Sequence, residues 1–151
     1  MNLLTELGFN TYRSSVEWSR IEPEDGEFSA AALDHYARVA AACRDPGLEP
    51  MVILHHFTTP RWVAGRGGWT TMETAMLFER YVERVMDAFG GQLTLVCTLN
   101  EPNVVATNGY LLGLFPPGER DPARRAVANE TLIDAHRRAA EVVQSGEPKR
   151  D

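Results

Sequence analysis

The chain has 151 residues, 44% of them hydrophobic and 24% charged, enough for one globular core but hardly for two, so a single domain or a piece of one is expected. Lys and Arg number 15 against 21 Asp and Glu, a net charge of -6 that repels phosphate backbones and anionic headgroups and so argues against nucleic-acid and membrane-surface roles. No stretch reaches the roughly 18 apolar residues of a membrane span, and the opening Met1 to Gly8 lacks a basic segment leading into an apolar run, so a soluble, cytoplasmic chain is expected.

In chain order, a first β-rich run covers residues 9–16. Ser29 then reads as a helix N-cap with Phe28 and Leu33 as a hydrophobic staple around it, and Leu33, Tyr36, Ala37 and Ala40 share one helical face. A second β-rich run, 51–57, precedes Thr70-Thr71-Met72-Glu73, which has the form of a capping box. Behind it Phe78, Tyr81, Val82, Val85 and Phe89 make the apolar stripe of a helix that Gly90-Gly91 should stop. A third run, 93–99, is followed by a last helix through Leu132, Ala135, His136, Ala139 and Val143, preceded by a turn of helix capped at Asp121-Pro122. Residues 145–151 are polar and hold the only lysine beside fourteen arginines, so they read as a frayed or non-native tail on a domain of residues 1–144.

A short β-rich run followed by a helical pattern, repeated about 40 residues apart, is the signature of βα units on a parallel sheet at the spacing of a (β/α) barrel. The expected fold is α/β, a partial (β/α)8 TIM barrel of about three βα units. Cys43 and Cys97 lie far apart in apolar surroundings, which suits reduced, packed thiols rather than a disulfide framework or a zinc site.

The chemistry concentrates at Thr98-Leu99-Asn100-Glu101-Pro102, directly after the third run. In a parallel barrel the C-terminal strand ends hold the active site, so a carboxylate there faces the cleft, and apolar surroundings would fit it to protonate a leaving oxygen at neutral pH. Pro102 biases Glu101 away from the α region and helps to end the strand. The competing reading is an ordinary exposed Glu at the start of a loop.

Four blocks in order bear on this choice. They are Tyr12-Arg13-Ser14-Ser15-Val16-Glu17-Trp18-Ser19-Arg20-Ile21 with Pro23, Leu54-His55-His56-Phe57-Thr58-Thr59-Pro60, Gly67-Gly68-Trp69, and residues 98–102. Together they resemble glycoside hydrolase family 1, the β-glucosidase and β-galactosidase family, over roughly residues 1–144. The resemblance runs from the end of the first barrel helix through the fourth and implies strands 2 to 4.

It implies that Glu101 is the general acid/base and that Asn100 hydrogen-bonds the sugar 2-hydroxyl, a contact that strengthens in the oxocarbenium-like transition state. It further implies that His56 contacts glycone hydroxyls and that Arg13 supports the catalytic nucleophile by holding it ionised. The substrate would be a β-glycoside or oligosaccharide, with no cofactor. Each role has a structural competitor: Arg13 as a barrel-interior arginine satisfying a structural carboxylate, His56 as a satisfied core histidine. Adjacent His55 and His56 point to opposite faces of a strand and so cannot readily chelate one metal ion; one should turn inward and the other toward the helix layer. Trp18 and Trp69 are read as packing residues in preference to sugar platforms, and Glu17 as structural. Phe57 stands where the family commonly has Trp, and Asn103 where an aromatic residue commonly follows Asn-Glu-Pro.

A retaining glycosidase needs two carboxylates about 5 to 5.5 Å apart. The family supplies its nucleophile from Glu-Asn-Gly on a later strand, and that tripeptide does not occur in these 151 residues. The expectation is an internal fragment of such an enzyme, inactive and aggregation-prone alone, because three parallel strands leave both sheet edges unpaired. The rivals are a cellulase-like member of the same clan and a non-catalytic sugar-binding or interaction module. Neither glycone preference (gluco, galacto or 6-phospho) nor oligomeric state is encoded in these residues.

Overall fold

A computed structural model describes residues 1–146. Three strands, β1 (Thr11–Ser15), β2 (Glu49–His55) and β3 (Leu95–Leu99), form one parallel sheet in the order β1-β2-β3. Their register sets Arg13 beside Met51 and Met51 beside Leu95. The helices, in chain order, are α1 (Asn2–Glu6), α2 (Trp18–Ile21), α3 (Ala30–Arg44), α4 (Arg61–Gly65), α5 (Glu73–Phe89), α6 (Pro102–Ala106) and α7 (Pro122–Ser145). Each strand thus returns through helical chain, the connection that a parallel neighbour requires. This is the α/β, partial-barrel architecture that the spacing predicts.

The core lies between the sheet and α3, α5 and α7. The stripe on α5 is buried as the periodicity predicts, and Phe78, Tyr81, Val82 and Val85 are fully covered. Each such side chain contributes about 1.5–3 kcal/mol relative to exposure. Trp18 stacks on Tyr81 at 5.2 Å between ring centroids, and the Tyr81 hydroxyl donates to the Leu54 carbonyl at 3.1 Å, so helix, strand and α2 lock together. Burial pushes the Tyr81 phenol well above its ordinary pKa, so it stays a donor.

Local signals were mostly correct where one short-range contact decides them. The Ser29 hydroxyl accepts from the Ala32 amide at 3.2 Å, and Phe28 and Leu33 both pack on the core. Asp121 caps α7 through the Ala123 amide at 2.8 Å, and α7 then runs unbroken to Ser145, so the expected separate turn is the first turn of one helix. The capping box does not form. The Thr70 hydroxyl donates to the Gly67 carbonyl at 2.7 Å, because Gly68–Thr70 is a 3-10 turn, and α5 starts after Met72 with no side-chain cap.

Gly90 ends α5 as expected, at φ -54, and the chain passes straight into a 3-10 turn, Gly90–Gln92. Two further expectations are corrected. Strand β2 stops at His55 and not at Phe57, whose φ of 73 breaks the extended backbone. Cys43 is buried, and burial raises its thiol pKa, but Cys97 is only half-buried; both are free. The expected tail falls largely outside the described residues, from Glu147 onward. Among the described residues β1 and β3 are both open edges, and no helix is long and apolar enough to cross a membrane.

Candidate active site

The end of β3 is built by one hydrogen bond and one strained residue. The Asn100 amide donates to the His55 carbonyl at 2.9 Å, extending the β2–β3 ladder, so His56 and Glu101 leave the sheet from paired neighbours. Glu101 is left-handed, at φ 45 and ψ 61, directly before Pro102. Its carbonyl accepts from the Val104 and Val105 amides at 2.9 and 3.2 Å, so the first turn of α6 holds it there. A non-glycine residue in this region costs about 1–3 kcal/mol and persists only where its surroundings over-determine it. Pro102 does keep Glu101 out of the right-handed α region, and the segment it opens is the helix α6, not the loop of the competing reading.

Arg13 reaches this point from the far edge of the sheet. Its Nη2 donates to Asn100 Oδ1 at 2.5 Å. Strands β1 and β3 flank β2, so their backbones are roughly 9.5 Å apart and only a long side chain bridges them. No carboxylate lies within ion-pair distance of Arg13 among the described residues. Glu101 and Arg13 are both exposed and Asn100 is half-buried, so this chain does not itself supply the apolar surroundings expected around Glu101.

The paired histidines separate as strand alternation predicts. His55 is 1% exposed, edge-on to Trp69 at 5.2 Å and to Phe78 at 6.1 Å, within the helix layer. Burial lowers its pKa to about 4, with the neighbouring His56 adding to the effect, and its Nδ1 has no partner. His56 is half-buried, with its ring 4.9 Å from Phe57. Among the described residues no three or more His, Cys, Asp or Glu side chains are grouped to hold a metal ion. Trp18 and Trp69 are buried in packing roles: the Trp69 indole donates to Thr59 and the Trp18 indole to Glu22, so neither face is free for a sugar.

Glu17 is structural in its contacts. It accepts from Ser19 at 2.9 Å and from Thr58 at 2.8 Å, tying the loop after β1 to the loop after β2. Sequence reasoning missed a cavity of about 520 Å3 between the loops that follow β2 and β3, walled by Phe57, Trp69, Tyr110, Phe115 and Arg124 among others. It also missed Phe115, whose ring lies 5.6 Å from Phe57. The only signal for either was the aromatic content of segments that periodicity leaves unassigned.

The site is thus a left-handed glutamate at the carboxyl end of a parallel strand, directly after an asparagine whose side chain is tied to an arginine two strands away. The sequence model of glycosyl hydrolase family 1 matches residues 1–151. The chain belongs to that family. It is 38% identical over 145 residues to β-glucosidase A of Thermotoga maritima, covering 94% of this chain and 32% of the relative. With a β-glucosidase of an Agrobacterium species it shares 33% identity over 150 residues, 99% of this chain and 33% of the relative. Among solved structures, the β-glucosidase from Thermotoga maritima in complex with glucoimidazole superposes with a TM-score of 0.93 at 35% identity, over 97% of this chain and 33% of that one. The chain therefore spans about a third of the length of the family 1 relatives it matches. Membership decides against the cellulase-like rival.

Proposed function

We propose that this chain is the part of a retaining β-glycosidase that carries the acid/base half of the active site, corresponding to strands 2 to 4 of the barrel. Glu101 protonates the glycosidic oxygen as the aglycone leaves and then takes a proton from the water that releases the sugar. Asn100 and His56 hold glycone hydroxyls. Arg13 supports a carboxylate nucleophile that these 151 residues do not contain, and its charge, which no carboxylate pairs among the described residues, is the group that would keep that nucleophile ionised. The substrate class is a β-glucoside or related β-glycoside. By themselves the 151 residues should bind sugar poorly and turn nothing over, since one of the two carboxylates is missing.

The observation that carries this reading is the Asn100–Glu101 pair at the end of β3, with Glu101 held left-handed by the first turn of α6. A graft tests it: residues 1–144 replace the equivalent third of the Thermotoga maritima β-glucosidase A. Glu101→Ala in the graft should lower kcat/KM about 100- to 10,000-fold on alkyl glycosides and far less on dinitrophenyl glycosides, which need no proton. Equal losses on both would overturn the acid role. Turnover of aryl β-glucosides by the 151-residue chain, abolished by Glu101→Gln, would overturn its predicted inactivity.

A further inference from the structure

The contact between Arg13 and Asn100 has a chemical direction. A guanidinium has donors only, so the atom 2.5 Å from Arg13 Nη2 is the amide oxygen of Asn100, and the Asn100 NH2 is turned the other way. Asn100 directly precedes Glu101, and no other hydrogen bond engages its side chain among the described residues, so among them the NH2 has no partner. An unrestrained amide offers a substrate either a donor or an acceptor, whichever end rotates inward. This one is committed.

We propose that Arg13 is a positioning residue for Asn100, locking its amide so that only the NH2 meets the substrate. Asn100 then recognises the sugar substituent beside the reacting carbon strictly as a hydrogen-bond acceptor. A hydroxyl there accepts from Asn100 and keeps its own hydrogen for another partner, whereas a deoxy position leaves the NH2 unmatched. Selectivity for the 2-hydroxyl is thus set partly from β1, 87 residues away in sequence. The inference rests on the roles proposed above for Asn100 and Glu101.

The test measures the kcat/KM ratio of aryl 2-hydroxy to aryl 2-deoxy glycosides in the graft and compares that ratio between each variant and the parent, so that the intrinsic reactivity of the two substrates cancels. Arg13→Met should shrink the preference for the 2-hydroxy substrate about tenfold, because the amide is released to rotate. Arg13→Lys, which keeps one donor, should recover part of the preference. In an Asn100→Ala background Arg13→Met should change the preference no further.

Loss of equal size on both substrates, with the acid limb of the pH profile displaced, would overturn the proposal and leave Arg13 acting on the nucleophile alone. Should Arg13→Met not fold, Arg13→Ala, which also has no donor, takes its place, and an unchanged preference in it overturns the proposal equally. The two readings fail separately: a Glu101→Ala graft that keeps its rate on alkyl glycosides defeats the acid/base assignment, whereas its collapse with equal Arg13 losses defeats only the positioning role.

Discussion

His55 makes the stability of this protein depend on pH in a way the structure quantifies. The imidazole is sealed against Trp69 and Phe78, its Nδ1 is unpartnered, and its Nε2 lies 3.3 Å from the Thr59 hydroxyl, so the folded state holds it neutral down to about pH 4. In the unfolded chain it takes a proton near pH 6.5. Below that value the unfolded state binds the extra proton, so stability is full above pH 6.5, falls as pH drops, and levels off below about pH 4. That interval of about 2.5 pH units at 1.36 kcal/mol each amounts to about 3 kcal/mol.

Paired carboxylates weaken over part of the same range, Asp25 among them, whose carboxyl is held below its ordinary pKa chiefly by the Arg80 hydrogen bond, so the measurement must be a difference. His55→Phe keeps a flat ring in the aromatic pocket and removes only the proton site, while Thr59 retains its bond from the Trp69 indole. Urea unfolding of wild type and His55→Phe, followed by far-UV circular dichroism from pH 7.5 to 4, should show the two within about 1 kcal/mol at pH 7.5. The variant should gain about 3 kcal/mol on wild type by pH 4. A difference that stays constant across the range would show that His55 is not buried neutral and would refute the reasoning.

Three other outcomes are expected. Glu22 is fully buried and accepts from the Trp18 indole, the Gly26 amide and Arg80, so Glu22→Ala, which strands these donors, should cost about 3–5 kcal/mol in urea unfolding. Glu22→Gln, which keeps the shape but not the charge, should cost about half as much. Glu101→Gly should raise stability by about 1 kcal/mol while removing activity from the graft, because glycine adopts the left-handed backbone without penalty; an unchanged or lowered unfolding midpoint would mean that no strain is stored there. Ser29→Ala, which removes the cap of α3, should lower stability by about 1 kcal/mol, whereas Ser29→Asp should hold it within a few tenths.

Much of the fold was legible because its signals are local. The apolar stripe of α5, the Ser29 and Asp121 caps and the three β-rich runs each concern residues within a turn or a strand of one another, and the structure forms all of them. The capping box at Thr70 failed because the tight turn that Gly67 and Gly68 open engages the Thr70 hydroxyl with the Gly67 carbonyl, a competition that a four-residue pattern does not contain. The position of Glu101 at a strand end was also legible, since a strand and a following Asn-Glu-Pro are contiguous.

By itself, then, the sequence determined the three strands and the three long helices α3, α5 and α7, that Asn100 and Glu101 stand at the end of one strand, and which family the motifs resemble. Tertiary structure alone decided that Arg13 meets Asn100 across β2, that His55 is sealed among aromatic rings while His56 is not, and that Glu22 is a buried hub for Trp18 and Arg80. It also decided that Glu101 is left-handed. The physical reason is range. Periodicity and capping are governed by neighbours three or four residues away, whereas the orientation of an amide or the burial of an imidazole depends on groups that only a packed, parallel sheet brings within hydrogen-bonding distance.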